Sequence, residues 1–234
     1  MRVLNLICAG TLLTAPLGAA EQDRTLTLPV SGSPVMRIEA GAGFLKVVSR
    51  PGQKDIQVQA HCVVEGKPQD LQDRVDLTLV DTPKGPQLIA RLREARGLAR
   101  WFRFGGGDNR IDLTVTVPTG VGLSIVDGSG DLEVRGVRGL LDITDGSGDL
   151  RVEDIQGQVR IHDGSGDLHV KGIIGTLEVI DGSGDMWIKD VTGAVTVTDG
   201  SGDIDIANVQ GDVRLKGTGS GAVRTRDIKG RILN

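Results

Sequence analysis

From Val121 onward, the apolar and polar positions of this chain recur every 18 residues. Counting from the first aspartate of Asp127-Gly128-Ser129-Gly130-Asp131, apolar side chains fall at positions 6, 8, 11, 15 and 17. These are Leu132, Val134, Val137, Leu141 and Ile143 in one unit, and Leu150, Val152, Ile155, Val159 and Ile161 in the next. Positions 6 and 8, then 15 and 17, have the period of two that marks a strand with one buried face. The pentapeptide Asp-Gly-Ser-Gly-Asp returns at 145–149, 163–167, 181–185 and 199–203 without insertion. A spacing held so strictly predicts units that stack on one another, with two strands and two corners to a coil.

The remaining positions fill in the coil. Position 13 is always glycine (Gly139, Gly157, Gly175, Gly193, Gly211), and position 10 is Gly136, Asp154, Gly172, Asp190 and Asn208. These residue types accept positive φ at low cost, so both positions are expected to be obligatory bends. Outward position 16 reads Asp142, Arg160, Glu178, Thr196, Arg214, while positions 7 and 9 set Glu133 against Arg151 and Arg135 against Glu153. Opposite charges stacked about 4.8 Å apart are each worth about 0.2–1 kcal/mol and together oppose slippage. The last unit, 217–234, slips by one residue to Gly219-Ser220-Gly221 and lacks both aspartates, as an end unit would.

Upstream, alternating segments predict strands near Arg24–Val30, Val35–Ala40, Phe44–Val48, Ile56–Val64, Val75–Val80 and Ile111–Val117, with Pro118 ending the last. Turns fall at Pro-Gly, Gly-Lys-Pro and Lys-Gly-Pro, and no helix is evident. Ala40-Gly41-Ala42-Gly43-Phe44-Leu45-Lys46-Val47 is a decayed copy of the repeat motif, so the stack is expected to start near residue 35. The resulting division is an irregular N-terminal β region over 21–110 and a regular solenoid over 111–234.

Met1–Ala20 reads as a secretory signal, with Arg2 before an apolar run and Gly18-Ala19-Ala20 as the cleavage site. Cys8 lacks the small-residue context of a lipidated cysteine, and Cys62 alone in the mature chain cannot close an intrachain disulfide. Cys62 is expected to be a small buried residue in its strand. No later run is long and apolar enough to span a membrane. The expected location is therefore exported: periplasmic, surface-attached or secreted. A net charge of -4 points to no nucleic-acid partner. The wealth of glycine, 35 residues, beside Val, Ile, Leu and Thr suits a narrow aliphatic stack.

Three constellations are candidates for function. The segment 94–107 carries Arg96, Arg100, Trp101, Phe102, Arg103 and Phe104, and arginine among aromatic rings suits an anionic surface or a protein or glycan partner. Its structural alternative is a hairpin folded over the end of the core. The second constellation is two aspartate columns, Asp127, Asp145, Asp163, Asp181 and Asp199 beside Asp131, Asp149, Asp167, Asp185 and Asp203. Stacked like charges repel by about 1 kcal/mol even in water, so either Ca²⁺ or turn amides must compensate them. The calcium β-roll has one residue between glycine and aspartate, whereas Asp131 follows Gly130 directly, so no metal site is assigned. The third is the motif serines Ser129, Ser147, Ser165, Ser183 and Ser201, and Trp187 at outward position 7 is a further exposed apolar residue that marks a small contact patch or nothing. The serines of the motif lack a nucleophile-elbow context, and His61, His162 and His169 have no spaced ligand partners, so neither catalysis nor a cofactor is expected. The expectation is a non-catalytic, exported envelope or surface interaction protein presenting the Arg/aromatic segment; the alternative is a calcium-stabilised scaffold built on the aspartate columns, and a polysaccharide-active β-helix enzyme is the remote alternative.

Val115-x-Val117-Pro118, Leu123-x-Ile125 and the repeated Gly-Ser-Gly-Asp-apolar-x-apolar resemble bacterial domain-of-unknown-function repeat proteins described as putative adhesins, similar to the head domains of autotransporter adhesins. The resemblance covers 111–234 well and 35–110 loosely. It implies an all-β fold, a right-handed parallel β-solenoid, outside the cytoplasm. It brings no functional residues with it.

Overall fold

The structure, a computed structural model, describes residues 12–13, 19–32, 34–93 and 109–234. Two long sheets face one another along a single axis, and each coil contributes one strand to each sheet. The result is a β-solenoid of about six turns. In the regular region the strands Leu132–Arg135, Leu150–Gln156, Leu168–Ile174, Met186–Val191, Ile204–Val209 and Val223–Ile228 form one sheet, all parallel. The opposite sheet stacks Gly122–Asp127, Leu141–Asp145, Val159–Asp163, Leu177–Asp181, Val195–Ser201 and Val213–Ser220.

Register follows the 18-residue period: Leu132 lies beside Leu150 and Leu168, and Leu141 beside Val159 and Leu177. All ten apolar positions read from the first two units are buried, none more than 2% exposed. The slip in the last unit is a bulge, since Val197 faces Leu215 whereas Thr198 faces Gly217. Lys216 is the extra residue.

The two bend positions have different physical reasons. Position 10 is in the left-handed region in every coil, with φ of 58° at Asp154, 61° at Asp190, 55° at Asn208 and 76° at Gly136. Position 13 differs: Gly193 and Gly211 lack the left-handed φ seen at Gly139, Gly157 and Gly175. Glycine is required there because the coils touch backbone to backbone. A Cβ on Gly157, Gly175 or Gly193 would overlap the carbonyl of the glycine one coil below.

The N-terminal region joins the same stack out of chain order. Strand Leu45–Arg50 lies between Arg110–Pro118 and Leu132–Arg135, parallel to both. Likewise Val35–Ala40 lies between Gly85–Leu92 and Gly122–Asp127. The decayed motif is therefore a true coil: Leu45 is in register with Leu132, and Ala42 bridges Ser129. Beyond it both sheets turn antiparallel, through Ala19–Pro29 against Asp55–Glu65 and Val75–Thr82 against Gly85–Leu92.

Among the described residues one helix, Pro68–Arg74, departs from the all-strand expectation. Gly66-Lys67-Pro68 is the start of a helix: proline occupies the first turn, and the Lys67 amide donates to Asp70 Oδ2 at 2.6 Å. Its Leu71 is 1% exposed and packs into the core, closing that end. Cys62 is fully buried in the strand Asp55–Glu65, and burial pushes its thiol up to about 11.

Candidate functional site

The outward face of the larger sheet is a ladder of charges, and its pairing singles out one place. At positions 7 and 9, Glu133 meets Lys46 at 2.7 Å, Arg135 meets Glu153 at 3.7 Å and Asp154 at 3.1 Å, Arg151 meets Glu153 at 3.5 Å, and Arg226 meets Asp205 at 2.9 Å. Arg224 reaches Asp203 at 3.1 Å. On the opposite face Arg160 meets Glu178 at 3.7 Å, as the alternation of signs at position 16 predicts.

The coils between interrupt this pattern. His169 stacks on Trp187, with ring centroids 4.4 Å apart and planes at 22°. Lys171 lies directly beside Lys189 in the parallel register. Among the described residues neither lysine has an ion-pair partner within 4.0 Å, unlike every other charged side chain at these two positions. Like charges placed opposite one another on a sheet cost stability, so this pair does not serve the register. Trp187 is 37% exposed. Beyond it a cleft of about 260 Å³ is lined by Trp187, Lys189, Asp205, Asn208 and Arg226. Glu153 lies beside Lys171 in register on the other side, so the patch offers a stacked aromatic platform next to two lysines without a close ion pair, chemistry suited to an anionic group carried on an apolar or ring-shaped frame.

The two aspartate columns lie in different surroundings. Asp131, Asp149, Asp167, Asp185 and Asp203 stand at the surface, and each receives an amide from the next coil. The N–H of Asp149 donates to Asp131 Oδ1 at 3.2 Å, that of Asp185 to Asp167 at 3.1 Å, and that of Ala222 to Asp203 at 2.8 Å. Those last contacts, with Arg224 beside them, hold the Asp203 carboxyl below its ordinary value. The first column, Asp127 to Asp199, is buried instead. Sequence reasoning treated both columns alike, although the signal was present. Leu123, Ile125 and Asp127, and then Leu141, Ile143 and Asp145, continue one inward period of two. Among the described residues no three His, Cys, Asp or Glu side chains converge as metal ligands.

His61 is not alone, as the spacing of histidines suggested. Strand pairing sets Asp23, His61 and Asp112 in a row, with His61 Nδ1 2.7 Å from Asp23 Oδ1. Asp112 accepts from the Phe44 amide at 3.0 Å and from Arg110 Nε at 2.8 Å. With Thr25, Gln59 and Thr114 they line an open cleft of about 410 Å³. The carboxylates in it are already engaged by protein donors.

Arg96, Arg100, Trp101, Phe102, Arg103 and Phe104 lie outside the described residues. The flanks of their segment are described. Arg91 pairs with Glu39, Arg93 with Asp76 at 3.1 Å and Arg110 with Asp112 at 2.8 Å. These three arginines therefore belong to the fold. Asn109 Oδ1 accepts from the Glu65 amide at 2.8 Å. The segment joins Gly85–Leu92 to Arg110–Pro118, the corner that Asp-Gly-Ser-Gly-Asp turns in the regular coils.

The chain is similar to several solved structures. A protein from Bacteroides fragilis described as a putative adhesin is 18% identical, with a TM-score of 0.50 over 90% of this chain and 96% of its own. A putative adhesin from Parabacteroides distasonis is 14% identical, with a TM-score of 0.40 over 90% and 95%. From the same organism, a putative lipid binding protein is 17% identical, with a TM-score of 0.46 over 89% and 95%. At these identities the likeness is one of fold. No curated protein matches the chain. The repeated motif, its coils and the out-of-order coil all fall within residues 46–226 or at their edge, the span matched by one family model. The chain belongs to the Toastrack DUF4097 family.

Proposed function

We propose that this protein is an exported, non-catalytic interaction protein of the cell envelope or surface, whose rigid stack displays contact groups to an anionic surface component. The observation that carries this reading is the patch of His169, Trp187, Lys171 and Lys189, where a ladder of paired charges gives way to two adjacent unpaired lysines beside stacked rings. Lysine supplies attraction and Trp187 supplies apolar contact. The Bacteroides fragilis protein named above, described as a putative adhesin, is in keeping with such a role. In the same reading Arg96, Arg100, Trp101, Phe102, Arg103 and Phe104 form a second contact element, because they combine arginine with aromatic rings.

The test is co-sedimentation of the purified protein with cell-envelope fractions and with anionic liposomes. Two changes are compared with the wild type: Lys171→Glu with Lys189→Glu, and deletion of 96–104. The expected result is that the wild type pellets and the double substitution lowers the bound fraction at least about tenfold, as loss of two charge contacts allows. Deletion of 96–104 lowers it further. Binding that neither change affects would overturn the proposal, and the liposome arm separates lipid from protein or glycan partners.

A further inference from the structure

The first aspartate of each repeat is a polar side chain in an otherwise aliphatic core. Asp127, Asp145, Asp163, Asp181 and Asp199 are between 2% and 5% exposed. Strand register places each directly on the next, Asp127 on Asp145, then Asp163, Asp181 and Asp199. Five carboxyl groups thus run in single file along one corner of the stack, about 4.8 Å apart. The file ends at Ala40, whose carbonyl accepts from the Gly128 amide, and at Thr218, which is in register with Asp199.

Among the described residues, no group of opposite charge acts on this file. The charged groups that act on it are its own members and Asp131, all carboxyls. Gly146 N–H donates to Asp145 Oδ1 at 2.9 Å. Among the described residues, both oxygens of the other four side chains and Asp145 Oδ2 make no hydrogen bond of good geometry, only weaker approaches from the amides of their own turns. A buried carboxylate without a partner costs several kcal/mol, and five adjacent ones repel one another as well. Neutralisation by a proton removes the charge and also creates a donor, which a neighbouring carboxyl oxygen one coil away can accept.

We propose that this column is a proton-holding ladder, in which carboxylic acid groups of successive coils hydrogen-bond along the axis and the folded solenoid binds protons that the unfolded chain releases. The shifts of the individual groups agree. Burial first, then the neighbouring carboxyls, raises Asp127 and Asp163 to about 7 from 3.8, with turn amides offsetting part of the effect. Asp145 and Asp181 rise to about 6, again chiefly through burial, and Asp199 is raised for the same reason. A value raised on folding contributes stability that is full below about pH 4 and is lost as pH climbs through about 6 to 7. Deprotonation therefore loosens the stack along this one corner, and mildly acidic surroundings tighten it.

The experiment is urea unfolding of the full chain between pH 5 and pH 8.5, with infrared spectra of the folded protein at pH 6. The expected unfolding constant at pH 8 is at least about tenfold that at pH 5, the effect of a single unit of pKa at one group. A protonated-carboxyl band is expected at pH 6. Asp163→Asn, neutral at every pH, should weaken that band, flatten the pH dependence and raise the midpoint at pH 8. Asp149→Asn, in the exposed column, should leave the slope unchanged. Wild-type stability that is flat or rises toward pH 8, with no protonated-carboxyl band, overturns the proposal. So does a Ca²⁺-induced gain at pH 8 that Asp163→Asn abolishes, because the column would then hold a metal ion. If Asp163→Asn fails to fold, the wild-type slope and band decide alone.

Discussion

At Asp190 a single backbone angle decides the corner. Its φ of 61° suits glycine, asparagine or aspartate and penalises a branched side chain. Asp190→Val is therefore expected to cost about 1–2 kcal/mol, whereas Asp190→Gly should leave the denaturant midpoint nearly unchanged. Position 13 fails by a different route. Gly193→Ala, at a glycine without the left-handed φ, forces a methyl group into the Gly175 carbonyl, and the coils must part or shift, at a cost of about 1–3 kcal/mol. The two substitutions differ in reach: the first strains one residue, the second two coils. Sequence showed that glycine is invariant across the repeats at position 13, but not that the cause is contact along the axis. A repeat reveals which residues recur, and only stacking reveals what each recurrence touches. The two aspartate columns teach the same lesson, since identical letters four residues apart end in the core and at the surface.

Among elements, those with a clear period of two were legible. Val35–Ala40 and the strand around Ile111–Val117 lie where alternation placed them, because each inward residue has an apolar neighbour above and below. The helix Pro68–Arg74 was not legible. Seven residues give too few turns for a helical period to emerge, and Leu71 is its one buried side chain. Its proline also reads as a turn when the tertiary support is unknown. Leu71 nevertheless covers the end of the core. Leu71→Ala is expected to lower stability by about 2–5 kcal/mol, measured by urea unfolding, while the far-ultraviolet dichroism of the regular coils persists. The charged patch was half legible: Trp187 was placed outward by its position, but its stacking on His169 depends on parallel register between coils.

The whole molecule behaves as a one-dimensional stack, so its length is adjustable by whole units. Deleting 163–180 removes one coil and rejoins His162 to Asp181 in phase. This deletion is expected to yield a folded, shorter solenoid by circular dichroism, with a smaller urea m-value in proportion to the surface lost. Deleting 163–171 alone breaks the phase and should prevent folding of the coils beyond it. The order of coils in the N-terminal part could not be read from the chain, since a decayed motif records that a coil exists but not which coils flank it.

That interleaved order gives the molecule two different responses to tension. Pulled from Asn234, the regular coils detach one after another, each releasing 18 residues or about 60 Å of chain. The strand Arg110–Pro118 cannot peel in the same way. It lies behind Leu45–Arg50 and is bonded antiparallel to Asp55–Glu65 on its other side, so a pull along it must shear two ladders at once. Between a surface and a tethered load, such a protein would lengthen in even steps and then stop at a clasp.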